Sequence, residues 1–166
     1  MAVTKVRSKW VGGNLVFSTL AGVEIARFNG TTGKLVAGTV ALGAEVVNVV
    51  KAALAPGNAN AFSFAIANPE GAKCLIHKVL LDVTTAGGTG SSVMDVGVAA
   101  NGTTASDNLI DGADLNADAL YDNVTDNGAN GKSRQRWGAT EFVTGRILVA
   151  HAAALAGNVY VLYTKA

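Results

Sequence analysis

Three strand-length segments lie within residues 61–99, which read AFSFAIANPEGAKCLIHKVLLDVTTAGGTGSSVMDVGVA. Large apolar side chains alternate with smaller ones in residues 61–67, and a similar alternation runs through residues 92–99. Residues 73–85 form a longer apolar run between them. An Asn-Pro-Glu-Gly turn and a glycine-rich turn separate the three segments. This pattern predicts consecutive β-strands.

The remainder of the larger domain continues the same pattern. A polar stretch, residues 101–136, follows and contains one candidate helical turn at residues 116–121. Two more strand candidates occupy residues 137–149 and 158–164. Strands, a long polar stretch and further strands, with few helix-length segments, are typical of an antiparallel jelly roll or β-sandwich. We expect this domain to span residues 55–166.

The N-terminal part predicts a separate small element. Residues 1–11 read as a basic, extended arm, and residues 14–36 contain three short strand candidates with a hairpin signal at Asn29-Gly30. A meander of this size cannot bury a core of its own and needs a partner. We therefore expect residues 1–36 to form an arm and a short β-meander that faces another protein.

Residues 37–54 are predicted to be a linker followed by a strand. The apolar positions of residues 46–54 fit a helical stripe as well as a strand, and periodicity leaves both open. The stiff valines favour the strand. The predicted fold is thus all-β, with an N-terminal short β-meander followed by an antiparallel jelly-roll/β-sandwich domain.

Composition limits the classes of partner. The chain is 49% hydrophobic and only 15% charged, whereas ordinary globular chains are about 25% charged. We expect part of its surface to face other subunits. The net charge of +1 argues against electrostatic binding to nucleic acid or to a membrane. The start of the chain shows no apolar signal-peptide core.

The polar stretch holds half of the 12 acidic residues, at Asp107, Asp111, Asp114, Asp118, Asp122 and Asp126. Asp114, Asn116 and Asp118 match the first three ligand positions of a calcium loop. Ala119 and Thr125 replace the glycine and the bidentate glutamate that such a loop requires. Turns capped by Asp and Asn side chains are favoured. An adventitious cation site with oxygen ligands is the alternative, and no required metal is predicted.

Other motifs predict no catalysis and no cofactor. Gly131-Lys132-Ser133 resembles the end of a phosphate loop, but Asp126 stands where that loop needs glycine. Cys74 lies three residues before His77, and hence on the opposite face of a strand. No acid–base pair or triad can be placed, so we expect a protein that is not an enzyme.

A basic cluster follows the acidic residues. It consists of Lys132, Arg134 and Arg136, next to Trp137. Such a cluster can bind nucleic acid. It can also neutralise the preceding aspartates, within the chain or across a subunit contact, and the near-zero net charge favours this second role. We expect Trp137 to anchor its strand in the core.

Several segments resemble the jelly-roll decoration proteins (cement or capsid-fibre proteins) of tailed bacteriophages. They are residues 62–99, SDNLIDGADLNADALYDN (106–123), NGKSRQRW (130–137) and AGNVYVLYTKA (156–166). In addition, GNLVFSTLAGVEIARFNGTTGKL (13–35) resembles the short β-meander at the front of phage structural proteins.

The resemblance implies a homotrimer on the outer surface of a virion, made in the host cytoplasm, that stabilises contacts between major capsid subunits. It also implies that the polar stretch is an ordered insertion, held to the domain by Leu109, Ile110, Leu115, Leu120 and Tyr121. The predicted partners are the major capsid protein and the chain itself, with no nucleic acid and no membrane. The alternative is a tail or head-fibre module that recognises a host carbohydrate. The capsid-contact candidates are Lys5, Arg7, Lys9, Trp10, Phe17, Arg27 and Phe28.

Overall fold

The computed structural model describes residues 6–19, 24–29, 31, 35–36, 47–88, 92–149 and 153–166. The chain divides into two compact units, Met1–Ala44 and Glu45–Ala166. The predicted linker, residues 37–43, and the candidate Lys5 lie outside the described residues.

The N-terminal unit is a four-stranded antiparallel meander. Its strands, paired in chain order, are β1 (Val6–Val11), β2 (Asn14–Thr19), β3 (Glu24–Asn29) and β4 (Leu35–Val36). Gly12 and Gly13 form the first turn with φ of 53° and 78°, the positive values that a tight hairpin requires. The predicted meander is confirmed. The basic end, expected to be an extended arm, contributes the additional strand β1.

The described residues of the second unit form nine strands. They are β5 (Asn48–Ala53), β6 (Phe62–Ala67), β7 (Cys74–Thr85), β8 (Val93–Ala99), β9 (Ile110–Asp114), β10 (Ala119–Asp122), β11 (Gln135–Trp137), β12 (Phe142–Val149) and β13 (Ala156–Lys165).

Eight of these strands form two antiparallel four-stranded sheets. The first, here called the β5 sheet, has the order β5-β13-β7-β10, and the short β11 also pairs with β7. The second, the β6 sheet, has the order β6-β12-β8-β9. The chain crosses between the sheets from β5 to β6, β6 to β7, β7 to β8, β9 to β10, β11 to β12 and β12 to β13. This is the eight-stranded jelly roll of two Greek keys, so the predicted fold class is confirmed.

The core lies between the two sheets. Alternate residues of each strand point inward. The fully buried side chains include Ile76, Val79, Leu81, Met94, Val96, Leu109, Ile110, Leu115, Trp137, Val143, Ile147, Val159 and Val161.

Within residues 46–54, for which the sequence left helix and strand open, Asn48–Ala53 form strand β5 of the jelly roll. β5 pairs with β13 along its whole length, from Asn48 opposite Tyr163 to Ala53 opposite Asn158. Val50 and Ala52 pack against the core, whereas Val49 is 58% exposed. The jelly roll therefore includes this strand and starts before residue 55.

The polar stretch is not an insertion between strands, because it supplies β9, β10 and β11. Leu109, Ile110 and Leu115 are fully buried, and Tyr121 packs against the core. The prediction for Leu120 is wrong: this side chain is 62% exposed. The predicted helical turn is also wrong, since its second half is strand β10, in which Tyr121 points inward and Leu120 outward.

Candidate functional site

The aspartates of the polar stretch cap the chain's own backbone. Asp122 accepts hydrogen bonds from the N–H groups of Val124 (2.7 Å) and Thr125 (2.9 Å) and pairs with Lys78 Nζ at 2.9 Å. Burial raises the pKa of the Asp122 carboxyl, but the Lys78 contact and the two N–H bonds outweigh it and lower that pKa to about 2. Asp114 caps the N–H of Asn116 at 2.9 Å.

The side chains of two asparagines make backbone hydrogen bonds of the kind that a neighbouring strand would make. Asn123 is fully buried; its Oδ1 accepts from Val79 N at 2.7 Å and its Nδ2 donates to Lys132 O at 3.0 Å. Asn108 makes the corresponding pair of bonds with the N–H (2.8 Å) and C=O (3.2 Å) of Val98. These bonds fasten the polar stretch to both sheets. Within the described ranges, no group of three or more His, Cys, Asp or Glu side chains is placed to hold a metal ion.

The glycine of the phosphate-loop-like motif has a packing role. A Cβ on Gly131 would collide with the carbonyl oxygens of Asn127 and Leu109. The lysine that follows uses its backbone N–H to bond Asn108 O at 3.1 Å. The motif thus serves a tight backbone crossing.

The basic cluster after the acidic residues is exposed. The side chains of Lys132, Arg134 and Arg136 all face solvent. The ion pairs found in the described part of the chain join Lys78 to Asp122 and Lys165 to Glu70, and none involves the cluster. Neutralisation of the aspartates within the chain is therefore not observed, and a subunit contact stays a prediction.

Cys74 and His77 do not form a pair. The Cys74 thiol is buried beside Ala72 O at 3.6 Å, inside the sandwich. His77 Nε2 lies 2.9 Å from Thr164 Oγ1 on the opposite face of β7. A thiol–imidazole nucleophile is thus not assembled by these two residues.

The capsid-contact candidates occupy two sets of register positions in the meander. In one row Lys9 pairs with Val16 and Val16 with Arg27; in the next, Trp10 pairs with Leu15 and Leu15 with Phe28. Adjacent rows of a sheet point to opposite faces. Arg7, two positions before Lys9 on β1, pairs with Ser18. Phe17, which pairs with Ser8, belongs with Trp10.

The exposure of these candidates differs. Trp10 is 68% exposed and Lys9 is exposed, whereas Phe17 and Arg27 are half-buried. Val16 is buried between the two basic partners of its row. The meander thus combines a basic face with an apolar face that presents a large aromatic side chain.

A second surface, which the sequence analysis missed, is the outer face of the β5 sheet. Its apolar members are Val49, Leu80, Leu120, Tyr160 and Leu162, and its charged members are Lys51, Lys78, Asp82 and Asp122. Lys51 Nζ lies 5.3 Å from the centre of the Tyr160 ring, a cation–π contact. The sequence signal was present in the alternation of residues 75–84, where apolar side chains also occupy outward positions.

Comparison with known proteins found no matching family model, no similar curated protein and no similar solved structure. Within the described part of the chain, no helix is long and apolar enough to cross a membrane.

Proposed function

We propose that the chain is a capsid decoration protein, which binds the assembled shell of a major capsid protein and stabilises it. The observation that carries the proposal is the surface of the meander, where Trp10 is 68% exposed on a sheet whose other face holds Lys9 and Arg27 in one row. A four-stranded meander of two-to-six-residue strands cannot cover such a ring by itself. Exposed tryptophan and arginine are the residues that most often dominate binding energy at protein interfaces.

In this proposal the two units have different roles. The N-terminal unit faces the shell, with Trp10 as an apolar contact and the basic row opposite acidic capsid groups. Contacts between exposed charges are screened by salt, with a Debye length of about 8 Å at physiological ionic strength. Attachment should therefore weaken as the salt concentration rises. The jelly roll supplies the contacts between copies.

We also propose that three copies associate through the outer face of the β5 sheet. The number three comes from the resemblance to phage decoration proteins, and the surface supports self-association in two ways. Val49 and Leu120 are 58% and 62% exposed there. The surrounding charges are two lysines and two aspartates, so the face can be complementary in charge to another copy of itself.

Self-association is tested by light scattering at micromolar concentration. The expected mass is three times the 16.8 kDa of one chain. Val49→Lys should shift the mass toward the monomer, whereas Val124→Lys, at a 49% exposed position in the polar stretch, should not. A wild-type mass of a single chain would overturn the proposal of a trimer.

The capsid proposal is tested by co-sedimentation with undecorated shells of the major capsid protein encoded in the same genome. Trp10→Ser should weaken binding by about tenfold or more, the effect of losing over 1.4 kcal/mol. Val124→Ser, at a 49% exposed apolar position of the polar stretch outside both proposed contact surfaces, is the matched control for the meander contact. A chain that lacks residues 1–36 should remain folded and oligomeric yet fail to sediment with shells.

Two results would count against this function. Decoration by the truncated chain at full-length affinity would place the docking surface in the jelly roll. Absence of shell binding by the full chain, together with binding to host-surface glycans, would favour the alternative of a tail or head-fibre recognition module.

A further inference from the structure

The segment between β8 and β9, residues 100–108, lies across the outer face of the β6 sheet. Thr144 Oγ1 donates a hydrogen bond to Thr104 O at 3.0 Å. At Gly97, an added Cβ would lie 2.6 Å from the backbone carbonyl of Ser106. Because real Cβ atoms do not approach so closely, glycine is required there for the segment to rest on the sheet.

Beside this segment is a polar pocket of about 220 Å³, lined by Asp95, Ala105, Ser106, Asp107 and Arg146. Asp95 and Arg146 are register partners on β8 and β12. Ser106 and Asp107 come from the crossing segment. The pocket is thus assembled from three separate parts of the jelly roll.

The polar groups of this pocket retain unused hydrogen-bonding capacity. The Nε of Arg146 is buried and has no hydrogen-bond partner. Asp95 is only 9% exposed, and the Gly112 N–H bonds one of its oxygens, Oδ1, at 3.1 Å. Buried polar atoms without partners are rare in folded proteins, and binding sites are one place where they occur.

The mixture of charges selects the class of ligand. Arg146 offers donors, whereas Asp95 and Asp107 offer acceptors. A small anion would meet the two carboxylates, and a small cation would meet the guanidinium. A neutral ligand with several hydroxyl groups fits both, because each hydroxyl can accept from Arg146 and donate to a carboxylate.

The size of the pocket also favours a sugar as the ligand. The pocket is smaller than the roughly 300–1,000 Å³ of sites for drug-sized ligands, which suits a single sugar ring.

We propose that this pocket binds one neutral monosaccharide unit of a glycan, with Arg146 as donor and the carboxylates of Asp95 and Asp107 as acceptors. The proposed site is separate from the meander and does not depend on capsid attachment. It would give a shell-bound protein a second binding activity.

The test is titration of the full-length chain with glucose, galactose, mannose and N-acetylglucosamine, followed by NMR shifts or calorimetry. We expect saturable binding of at least one sugar with a Kd in the millimolar range. Arg146→Gln and Asp107→Asn should each weaken it by about tenfold or more, the loss of one charge-assisted hydrogen bond. Arg134→Gln, at an exposed arginine outside the pocket, is the matched control and should bind as the wild type does.

Three outcomes would overturn the proposal. The first is the absence of saturable binding by all four sugars. The second is equal sugar binding by wild type and Asp107→Asn. This comparison still tests the sugar site if Arg146→Gln fails to fold. The third is tighter binding of glycine or inorganic phosphate, used as zwitterionic and anionic probes. Shell co-sedimentation by Arg146→Gln should match that of wild type, so that failure of the sugar site and failure of capsid attachment are distinguished.

Discussion

Replacement of Trp137 by alanine should remove the largest fully buried side chain of the jelly roll. The indole is 0% exposed, packs edge-on against Tyr163 at 5.5 Å between ring centres, and donates its Nε1–H to Glu141 O at 3.0 Å. Burial of an aromatic side chain removes about 150–250 Å² from water. At about 25 cal/mol per Å² this corresponds to about 4–6 kcal/mol, of which alanine retains a part.

The expected loss for Trp137→Ala is therefore about 3–5 kcal/mol in the free energy of unfolding, the range usual for such truncations. Urea denaturation followed by far-UV circular dichroism measures it. With a slope of about 2 kcal/mol per M, the midpoint should fall by about 2 M. Trp10→Ala, which removes the other tryptophan at a 68% exposed position, should change stability by less than about 0.5 kcal/mol.

An unchanged midpoint for Trp137→Ala would refute this reasoning. It would mean that Trp137 is not part of the core and instead belongs to a contact surface. A Trp137→Phe variant separates the contributions, because it keeps most of the apolar area but loses the bond to Glu141 O and leaves a small cavity, a change of about 1–2 kcal/mol.

Three further predictions follow from the polar stretch and the segment that crosses the β6 sheet. Asp122→Asn should destabilise the fold by about 1–2 kcal/mol at neutral pH, since it loses charge-assisted bonds. The pKa of Asp122 falls from 3.8 to about 2 on folding, so the advantage of wild type should be complete above pH 4 and vanish as the pH falls toward 2. Urea titrations at several pH values measure this, and a pH-independent difference would contradict it. Gly97→Ala should cost about 1–3 kcal/mol and increase hydrogen exchange in residues 100–108, because its methyl group collides with Ser106. Calcium should not raise the melting temperature by more than about 5 °C, and a larger rise that a chelator reverses would reveal a cation site.

The sequence alone determined the strands that carry a strong apolar alternation. Residues 61–67 and 92–99 became β6 and β8, and the long run at residues 73–85 became β7. The short meander was visible for the same reason, since its apolar side chains alternate around glycine turns. In these segments the local pattern and the tertiary environment require the same structure, so the periodicity of apolar residues was sufficient to predict the strands.

Only the tertiary structure decided the polar stretch. Its Asp, Asn and Gly content is typical of turns, yet β9 and β10 are strands because β8 and β7 supply their hydrogen-bond partners and Asn123 fixes the following turn to Val79 N. The same holds for the pocket of Asp95 and Arg146, which are far apart in the chain and meet only through the pairing of β8 with β12. A local pattern records which way a side chain alternates, whereas its neighbours across a sheet are set by pairing between distant strands.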